Sequence, residues 1–311
     1  MQIPALGLVT DPFTTLLAND EDAVLALIIG VEGPSYRPVG AAMTVFAGRG
    51  RAGTLSSGCV EEDISNHALE TLSAGVPKLL RYGRGSPFMD IQLPCGGGLD
   101  ILLVPRPDRQ ALRELVARRT ARHPCVLEVD CETGAMSLLE DGTTGRHETL
   151  FRVRYLPEIR FLVFGKGPEA STFSALVQAA GYPNLLLSPD EETLEAAAPL
   201  GCRTRFLLRQ DMPDELEVDP WTAITLFFHD HDWEPPILKA ALETPAFYIG
   251  SQGSQRARDA RMLILEAMGV DEKSRARLHG PVGLIPSARD AGTLAVSVLA
   301  EILAKAAELH R

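Results

Sequence analysis

Two cysteines of the sequence stand beside glycines in a way that suits a reactive or metal-binding thiol. Cys59 closes the stretch GTLSSGC and precedes an acidic, helix-like segment, and Cys95 precedes three glycines in PCGGGLD. The amides and dipole at a helix N-terminus lower the pKa of a thiol, so Cys59 is a candidate nucleophile or soft-metal ligand. Buried packing is the alternative for each cysteine taken singly. Because glycine lets the backbone close around a ligand, neighbouring candidates are Gly58, Gly96 and Gly97, and the turn GPSYRPVG adds Arg37.

A second candidate site lies in FLVFGKGPEA, where Gly165, Gly167 and Ala170 match the dinucleotide-binding pattern G-x-G-x-x-A. The stretch follows a strand-like run and opens a helix-like one, which is the context that the pattern requires. Two residues disfavour NAD or NADP. The Glu169 carboxylate would compete with a phosphate for the amides of the first helical turn, and Ser188 stands where an acidic residue usually binds the ribose. The sequence leaves open a nucleotide-type ligand or none.

Polar residues also follow two later apolar runs. His229 and His231 lie one residue apart in LFFHDHDW, and YIGSQGSQRAR holds a second glycine-rich turn. The two imidazoles could bind a metal, contact a ligand or cap the following turn, and these three alternatives stay open. The glycine-rich turn predicts either an anion site or an ordinary helix cap. Its candidate residues are Gly250, Gly253, Ser254 and Arg256.

The composition excludes several classes of protein. The chain has 311 residues, a formal net charge of −11 and 45% hydrophobic residues, which predicts a globular protein of two domains. An acidic chain lacks the basic face that a phosphate backbone requires, so nucleic acid is not an expected partner. The absence of a run of about 18 apolar residues and of a signal-peptide pattern predicts a cytoplasmic protein without a membrane span. An odd count of 5 cysteines favours reduced thiols over a disulfide framework.

The first half of the chain predicts a mixed α+β domain over residues 1–150. Amphipathic patterns predict helices at 60–72 and 109–122, and alternation around a Thr-Gly pair predicts a hairpin over 125–142. The boundary to the next domain is predicted near residues 148–158. Apolar runs bounded by glycine and proline predict strands at 24–29, 42–46, 78–82, 91–93 and 99–104.

The second half predicts a Rossmann-like domain over residues 158–311. Apolar runs alternate with helix-like segments, and this rhythm predicts parallel strands with right-handed crossovers in a doubly wound α/β sheet. The first run leads into a helix predicted at 171–181. A last helix, predicted at 292–310, carries an apolar stripe that packs on the sheet, with a dimer contact as the alternative. The strand-like runs are IRFLVFG, NLLLS, TRFLL, AITLFF and AFYIG.

Taken together, these motifs resemble the XdhC/CoxI family of accessory proteins for molybdenum hydroxylases such as xanthine dehydrogenase. In the first half, the resemblance rests on GPSYRPVGAAMTV, GTLSSGCVEEDI and PCGGGLDILLVP. In the second half, it rests on FLVFGKGPEA, FFHDHDWEPPIL, FYIGSQGSQRARDARMLILEAMG, GPVGLIP and LAVSVLAEILA. These segments occur in the family's order and cover most of the chain. The resemblance implies an XdhC/CoxI-type first domain and a Rossmann-like second domain.

The resemblance also implies a function. It implies that the chain binds the molybdenum cofactor, as molybdopterin or its dinucleotide form, and assists its sulfuration and insertion into the apo-subunit of a molybdenum hydroxylase. The chain would then be a maturation chaperone rather than an enzyme, a homodimer, with a cysteine desulfurase as a further partner. Cys59 and Cys95 match the family's cysteine elements and would handle the metal or its sulfur. Two alternatives stay open: an NAD(P)-dependent oxidoreductase, and an assembly partner that binds no cofactor.

Overall fold

The structure of this chain, a computed structural model, describes residues 10–56, 58, 60–84, 86, 96–229 and 232–309. The chain divides into two compact units, and the division falls between Pro157 and Glu158. Each unit has its own hydrophobic core. The strand predicted at 91–93 lies outside the described residues.

In the described part of the first unit, two antiparallel sheets combine with three helices. Its helices are α1 (Pro12–Leu17), α2 (Glu61–Ala74) and α3 (Arg109–Thr120). Its strands are β1 (Ala23–Glu32), β2 (Ala42–Phe46), β3 (Arg51–Gly53), β4 (Lys78–Gly83), β5 (Gly98–Pro105), β6 (Cys125–Asp130), β7 (Met136–Leu139), β8 (Gly145–His147) and β9 (Leu150–Tyr155). The larger sheet has the order β3-β2-β1-β5-β4, and the smaller one has the order β7-β6-β9-β8. All neighbouring strands in both sheets are antiparallel.

The central strand β1 is buried on both faces. Successive side chains of a strand point to opposite sides of the sheet. On one side, Leu25 and Leu27 pack in a cluster with residues of α1, α3, β6 and β9. On the other side, Ala26 and Ile28 pack in a cluster with residues of α2. The continuous apolar run of β1, without polar alternation, follows from this double coverage.

Most predicted elements of the first half are confirmed. The predicted helices correspond to α2 and α3, and the predicted hairpin corresponds to β6 and β7, which pair antiparallel. The helix α2 ends at Gly75, whose left-handed φ of 72° suits glycine. Four elements, α1, β3, β8 and β9, were not predicted. β3 and β8 have only three residues each, too few to show a strand period, and the six residues of α1 make fewer than two helical turns. β9 has six residues, and its alternation in LFRVRY was an available signal.

The second unit is a six-stranded parallel sheet with helices on both faces. Its strands are β10 (Arg160–Gly165), β11 (Asn184–Ser188), β12 (Arg203–Phe206), β13 (Thr222–Phe227), β14 (Tyr248–Ser251) and β15 (Leu278–His279). Its helices are α4 (Pro168–Ala179), α5 (Glu191–Ala197), α6 (Glu234–Leu242), α7 (Gln255–Ala267), α8 (Glu272–Arg275) and α9 (Ala291–Ala306), with a 3-10 turn at Ala198–Leu200.

The strand order β12-β11-β10-β13-β14-β15 is that of a doubly wound Rossmann sheet. Every neighbouring pair is parallel. The order reverses direction between β10 and β13, which is the topological switch point where such sheets bind ligands. The predicted fold class, a mixed α+β domain followed by a doubly wound α/β domain, is confirmed.

Alternate residues of β10 pack toward opposite helical layers. Phe161 and Val163 pack in one core cluster with residues of α4 and α9, whereas Leu162 and Phe164 pack in another with residues of α6 and α7. The predicted packing of the last helix on the sheet is confirmed, because its apolar stripe is buried in the first of these clusters. The helix predicted at 171–181 begins earlier, at Pro168, a residue that is favoured at the first helical position.

Spanning a bilayer would take a longer and more apolar helix than any found among the residues that the structure describes.

Candidate functional site

Three stretches that the sequence singled out lie close together in the first unit. The closest approach joins the triple glycine to the turn around Arg37: a Cβ atom on Gly97 would lie 2.2 Å from the carbonyl oxygen of Pro34. Arg37 and Thr54 line one shallow cleft of about 460 Å³. We call the described residues 33–37, 54–56, 58, 60–61 and 96–98 the motif cluster. Cys59 and Cys95 belong to these stretches by sequence but lie outside the described residues.

A buried carboxylate organises the middle stretch of the motif cluster. Glu61, only 3% exposed, is the first residue of α2. Its Oε1 accepts hydrogen bonds from Thr54 Oγ1 at 2.6 Å, the Ser56 amide at 2.8 Å and the Leu55 amide at 3.3 Å. Its Oε2 accepts from Ser56 Oγ at 2.6 Å and the Val60 amide at 3.3 Å. The carboxylate therefore ties together the described residues that flank the predicted thiol.

The pKa of Glu61 reflects these bonds. Burial alone raises the pKa of a carboxyl group, but the side-chain hydrogen bonds from Ser56 and Thr54, together with backbone amides, outweigh burial and lower it to about 2. The group is ionised throughout the physiological range. The role of Glu61 as a buried acceptor was not predicted, because in the sequence this residue is only one of several in an acidic segment. A glutamate directly after a Ser- and Gly-rich turn is the signal that could have revealed it.

Gly97 is expected to tolerate no side chain. Its position is crowded by backbone, since an added Cβ would lie 2.2 Å from Pro34 O and 2.9 Å from Glu32 O. We expect Gly97→Ala to destabilise the first unit by about 2 kcal/mol, as overpacking against immobile atoms does. Gly96→Ala is the matched control, because its Cβ would meet no atom of the described residues within 4 Å and the strain there comes from its φ of 70°. Urea denaturation of both variants measures the difference, and equal losses would contradict the close approach.

The three described cysteines have the character of packing residues. Cys125 and Cys202 are buried, and Cys131 is half-buried. Burial raises the pKa of all three thiols, which keeps them protonated and poorly nucleophilic at neutral pH. Of the chain's 5 cysteines, those that remain as reactive candidates are Cys59 and Cys95.

In the second unit, Gly165 allows β10 to pack closely against α4 and β13. A Cβ atom on Gly165 would lie 2.7 Å from Phe227 O and 2.8 Å from the Cβ of Ala170. Ala170 is fully buried on α4. This is the close strand–helix contact that the dinucleotide-binding pattern provides through its small residues. Whether a ligand also touches these residues stays a prediction.

The second glycine of the pattern adopts a backbone conformation suited to glycine, with a φ of 89°. The Gly167 amide donates a hydrogen bond of 2.8 Å to Thr193 Oγ1. The next residue, Pro168, has no amide hydrogen. Glu169 follows in the first turn of α4, as the sequence indicated. Of the two backbone positions that open α4, the Gly167 amide is therefore already bonded to Thr193, and Pro168 has no N–H to donate.

The residues that follow β11, where a Rossmann fold binds the ribose, also have partners within the chain. Asp190 Oδ2 accepts hydrogen bonds from the amide of Thr193 at 3.0 Å and from its hydroxyl at 2.5 Å, and Lys166 Nζ lies 3.8 Å from Asp190 Oδ1. The hydrogen bonds from Thr193 lower the pKa of Asp190. Ser188, the last residue of β11, is buried and accepts from the Asp190 amide at 3.1 Å. Asp190 therefore acts as the N-cap of α5.

A cleft of about 410 Å³ opens at the carboxyl ends of β10, β13 and β14, beside the reversal of strand order. We call it the switch-point cleft. Three sequence-predicted residues line it, namely His229, Gly253 and Ser254. The lining also includes Glu169 and Gln252. Gln252 was not predicted, although its position directly after a buried strand was the available signal.

The other predicted residues of the second unit lie elsewhere. Gly165, Gly167, Ala170, Gly250 and Arg256 are not among the residues that line the switch-point cleft. Ser254 caps α7, since its Oγ accepts from the Ala257 amide at 3.2 Å, so the capping alternative is confirmed for this residue. A ligand role for the glycine-rich turn stays a prediction.

A buried ion pair lies beside the switch-point cleft. Glu234, fully buried on α6, accepts from Arg261 Nε at 2.7 Å and from Ser251 Oγ at 2.6 Å. The guanidinium of Arg261 also donates to the backbone carbonyl of Gln252. The pair therefore joins α6 and α7 to the end of β14. It was not predicted, because nothing in a single sequence links charges 27 residues apart.

The metal alternative for the two histidines stays a prediction, because the described part of the chain does not test it. His231 lies outside that part, and within residues 10–229 and 232–309, with the gaps given above, no group of three His, Cys, Asp or Glu side chains is arranged to hold a metal ion. The described imidazole, that of His229, lies with Nε2 3.5 Å from Glu169 Oε2 and 3.4 Å from Gln252 Nε2.

Comparison with protein families gives two matches. The family described as the XdhC Rossmann domain matches residues 161–302. The family described as XdhC and CoxI matches residues 16–83. The two matched regions fall within the second and first structural units, respectively.

Individual relatives resemble nearly the whole chain. The molybdenum cofactor insertion chaperone PaoD of Escherichia coli is 33% identical over 307 residues, covering 96% of this chain and 90% of that protein. A Bacillus subtilis protein, described as a probable subunit of xanthine dehydrogenase, is 25% identical over 93% of this chain and 94% of its own length. A crystal structure described as a xanthine dehydrogenase from Bacillus halodurans superposes with a TM-score of 0.79, at 22% identity and 95% coverage of both chains, and supports the fold.

Proposed function

The chain belongs to the XdhC and CoxI family, and we propose that it binds the molybdenum cofactor and assists its insertion into a molybdenum hydroxylase of the xanthine dehydrogenase type. The observation that carries the proposal is the similarity, along 96% of the chain, to a protein named molybdenum cofactor insertion chaperone. The protein acts in this proposal as a carrier that delivers a cargo, rather than as a catalyst.

The motif cluster has the chemistry that such a cargo needs. Molybdopterin presents a phosphate and a sulfur-bound metal, so a binding site must offer positive charge and soft ligands. Arg37 offers a guanidinium at the edge of the first-unit cleft. Cys59 and Cys95 would supply the thiols, as neighbours in sequence of the motif cluster. We assign metal or sulfur handling to these two cysteines, with backbone contacts from Gly58, Gly96 and Gly97.

The proposal extends to partners. Sulfuration of the cofactor needs a sulfur donor, and a cysteine desulfurase has that chemistry. We therefore propose a desulfurase and an apo-hydroxylase as partners, and a homodimer acting in the cytoplasm as the working form.

A nicotinamide-dependent oxidoreductase has less support. The Asp190 carboxylate is taken up by Thr193 and Lys166, and the Gly167 amide donates to Thr193. A dinucleotide would have to displace both interactions. We favour the chaperone for this reason as well as for the family.

The test is cofactor loading followed by transfer. Purified protein is incubated with molybdenum cofactor released from a donor enzyme, and bound pterin and molybdenum are measured before an apo-hydroxylase is added. We expect stoichiometric loading and restored hydroxylase activity. Cys59→Ala is expected to weaken loading about tenfold, equivalent to about 1.4 kcal/mol of binding energy, because the thiolate is a metal ligand.

The matched control is Cys131→Ala, which removes a thiol of the same unit whose pKa is raised by burial. It should load and transfer like the unaltered chain. If the unaltered protein takes up neither pterin nor molybdenum, the proposal of a cofactor carrier is wrong. If Cys59→Ala and Cys131→Ala load equally, the assignment of Cys59 is wrong while the carrier function stands.

A further inference from the structure

Two buried acceptor atoms that line the switch-point cleft receive no hydrogen bond from any described residue. They are Glu169 Oε2 and Gln252 Oε1. Gln252 is only 6% exposed, so its side-chain amide is nearly withdrawn from water. Buried polar atoms in proteins almost always have a partner, and each exception requires an explanation. Two such acceptors in one cleft indicate a ligand that brings its own N–H donors.

The acceptors are held in place by the surrounding fold. The backbone amide of Gln252 donates to Leu226 O at 3.0 Å, and its backbone carbonyl accepts from the buried Arg261 guanidinium. Glu169 is carried on the first turn of α4. His229 lies near both side chains, with Nε2 3.5 Å from Glu169 Oε2 and 3.4 Å from Gln252 Nε2. Both side chains therefore line the same cleft beside one imidazole, so a single ligand can reach both.

A phosphate does not fit the part of the switch-point cleft beside Glu169. The Glu169 carboxylate, which lines the cleft, would repel a phosphate, and the Gly167 amide at the start of α4 lies outside the lining and is already bonded to Thr193. The cleft also contains Arg289, at an exposed position of its lining. That guanidinium is a lining group suited to an anion, whereas the carboxylate and amide oxygens suit uncharged N–H donors.

We propose that the switch-point cleft binds a 2-amino-4-oxopyrimidine ring by its amino and ring N–H groups, with Glu169 and Gln252 as the acceptors. A carboxylate pairs well with two adjacent N–H donors, as it does with a guanidinium. The inference rests on the proposed function for its biological source, because the pterin ring of molybdopterin carries this edge. Guanine carries the same edge, so a guanine nucleotide is the other source.

The test compares rings that differ at the amino group. Binding of pterin and of lumazine, which has a carbonyl in place of the 2-amino group, is measured on the full chain by calorimetry or fluorescence quenching. Guanosine and inosine form the second pair. We expect at least about tenfold tighter binding of the amino-bearing member, a difference in the range that a buried hydrogen-bonding site provides. Tighter binding of pterin points to the pterin source, and tighter binding of guanosine points to a nucleotide.

Variants of the acceptor complete the test. Glu169→Leu should abolish the preference for the amino-bearing ring, and Glu169→Gln, which keeps one neutral acceptor, should leave it reduced. Glu195→Gln, an exposed carboxylate on α5, should bind like the unaltered chain. Circular dichroism checks that each variant is folded. Equal binding of pterin and lumazine, or a preference that survives Glu169→Leu, would overturn the inference.

The ring-binding test and the cofactor-loading test can fail independently of each other. Loading and transfer of the complete cofactor without any amino-group preference would refute the ring site and leave the carrier function intact. An amino-group preference without cofactor loading would support the ring site and refute the carrier function.

Discussion

Arg261→Met is expected to lower the free energy of unfolding of the second unit by about 3–5 kcal/mol, the usual cost of leaving a buried charge without its counter-ion. The guanidinium is buried, with its side chain 4% exposed, and it faces the fully buried Glu234 carboxylate at 2.7 Å. Methionine fills the volume of the arginine stem but supplies no donor. The loss can be measured by urea denaturation followed by tryptophan fluorescence.

Two comparisons make the Arg261 result specific. Arg256→Met replaces an exposed arginine of the same helix and should change stability by less than about 0.5 kcal/mol. The double variant Glu234→Leu with Arg261→Met removes both charges and should recover part of the loss. If Arg261→Met is as stable as Arg256→Met, the ion pair does not hold α6 and α7 to the sheet.

Glu61→Gln is expected to lower the stability of the first unit at pH 7 by about 3 kcal/mol, which corresponds to the displacement of its pKa from 4.5 to about 2. The folded-state pKa lies below the unfolded one. The stabilisation is therefore fully present above pH 4.5 and is lost progressively as the pH falls from 4.5 to about 2. Chemical denaturation at several pH values in this window measures the loss.

The neighbouring residue provides the control for Glu61. Glu62 is exposed on the same turn of α2, with its side chain 80% accessible and 3.7 Å from Arg51. Glu62→Gln should leave both the stability and its acid dependence nearly unchanged. The Glu61→Gln variant should show a weaker acid dependence of stability than the unaltered chain between pH 4.5 and about 2. A full acid dependence in Glu61→Gln would show that other carboxyl groups account for it.

The fold was largely predictable because its long elements carry strong local signals. The parallel strands of the second unit are continuous apolar runs, and the helices between them show the helical period. The short strands β3 and β8 were missed because three residues cannot display a period. The smaller sheet of the first unit was only half predicted, as the hairpin of β6 and β7, because β8 is too short and the alternating pattern of β9 was overlooked.

Residues of the candidate sites could be predicted only where a short stretch of sequence is enough to mark them. Glycine-rich turns next to strands indicated Gly97, before β5, and Gly253, after β14, because the backbone there must turn sharply or approach closely. Contacts between distant residues could not be predicted. The hydrogen-bond donors that surround Glu61 and the pairing of Glu234 with Arg261 depend on how the chain folds back on itself. A single sequence does not record which polar residue meets which.

Because both faces of β1 are buried, the first unit cannot open at this strand alone. Residues on its two faces belong to two separate core clusters, so no movement can expose the strand without disrupting both. Amide hydrogens in the middle of β1 can then exchange with solvent only through global unfolding, whereas those of the three-residue edge strand β3 exchange by local fraying. The two clusters of the first unit therefore form one cooperative folding unit, with β1 as the shared element.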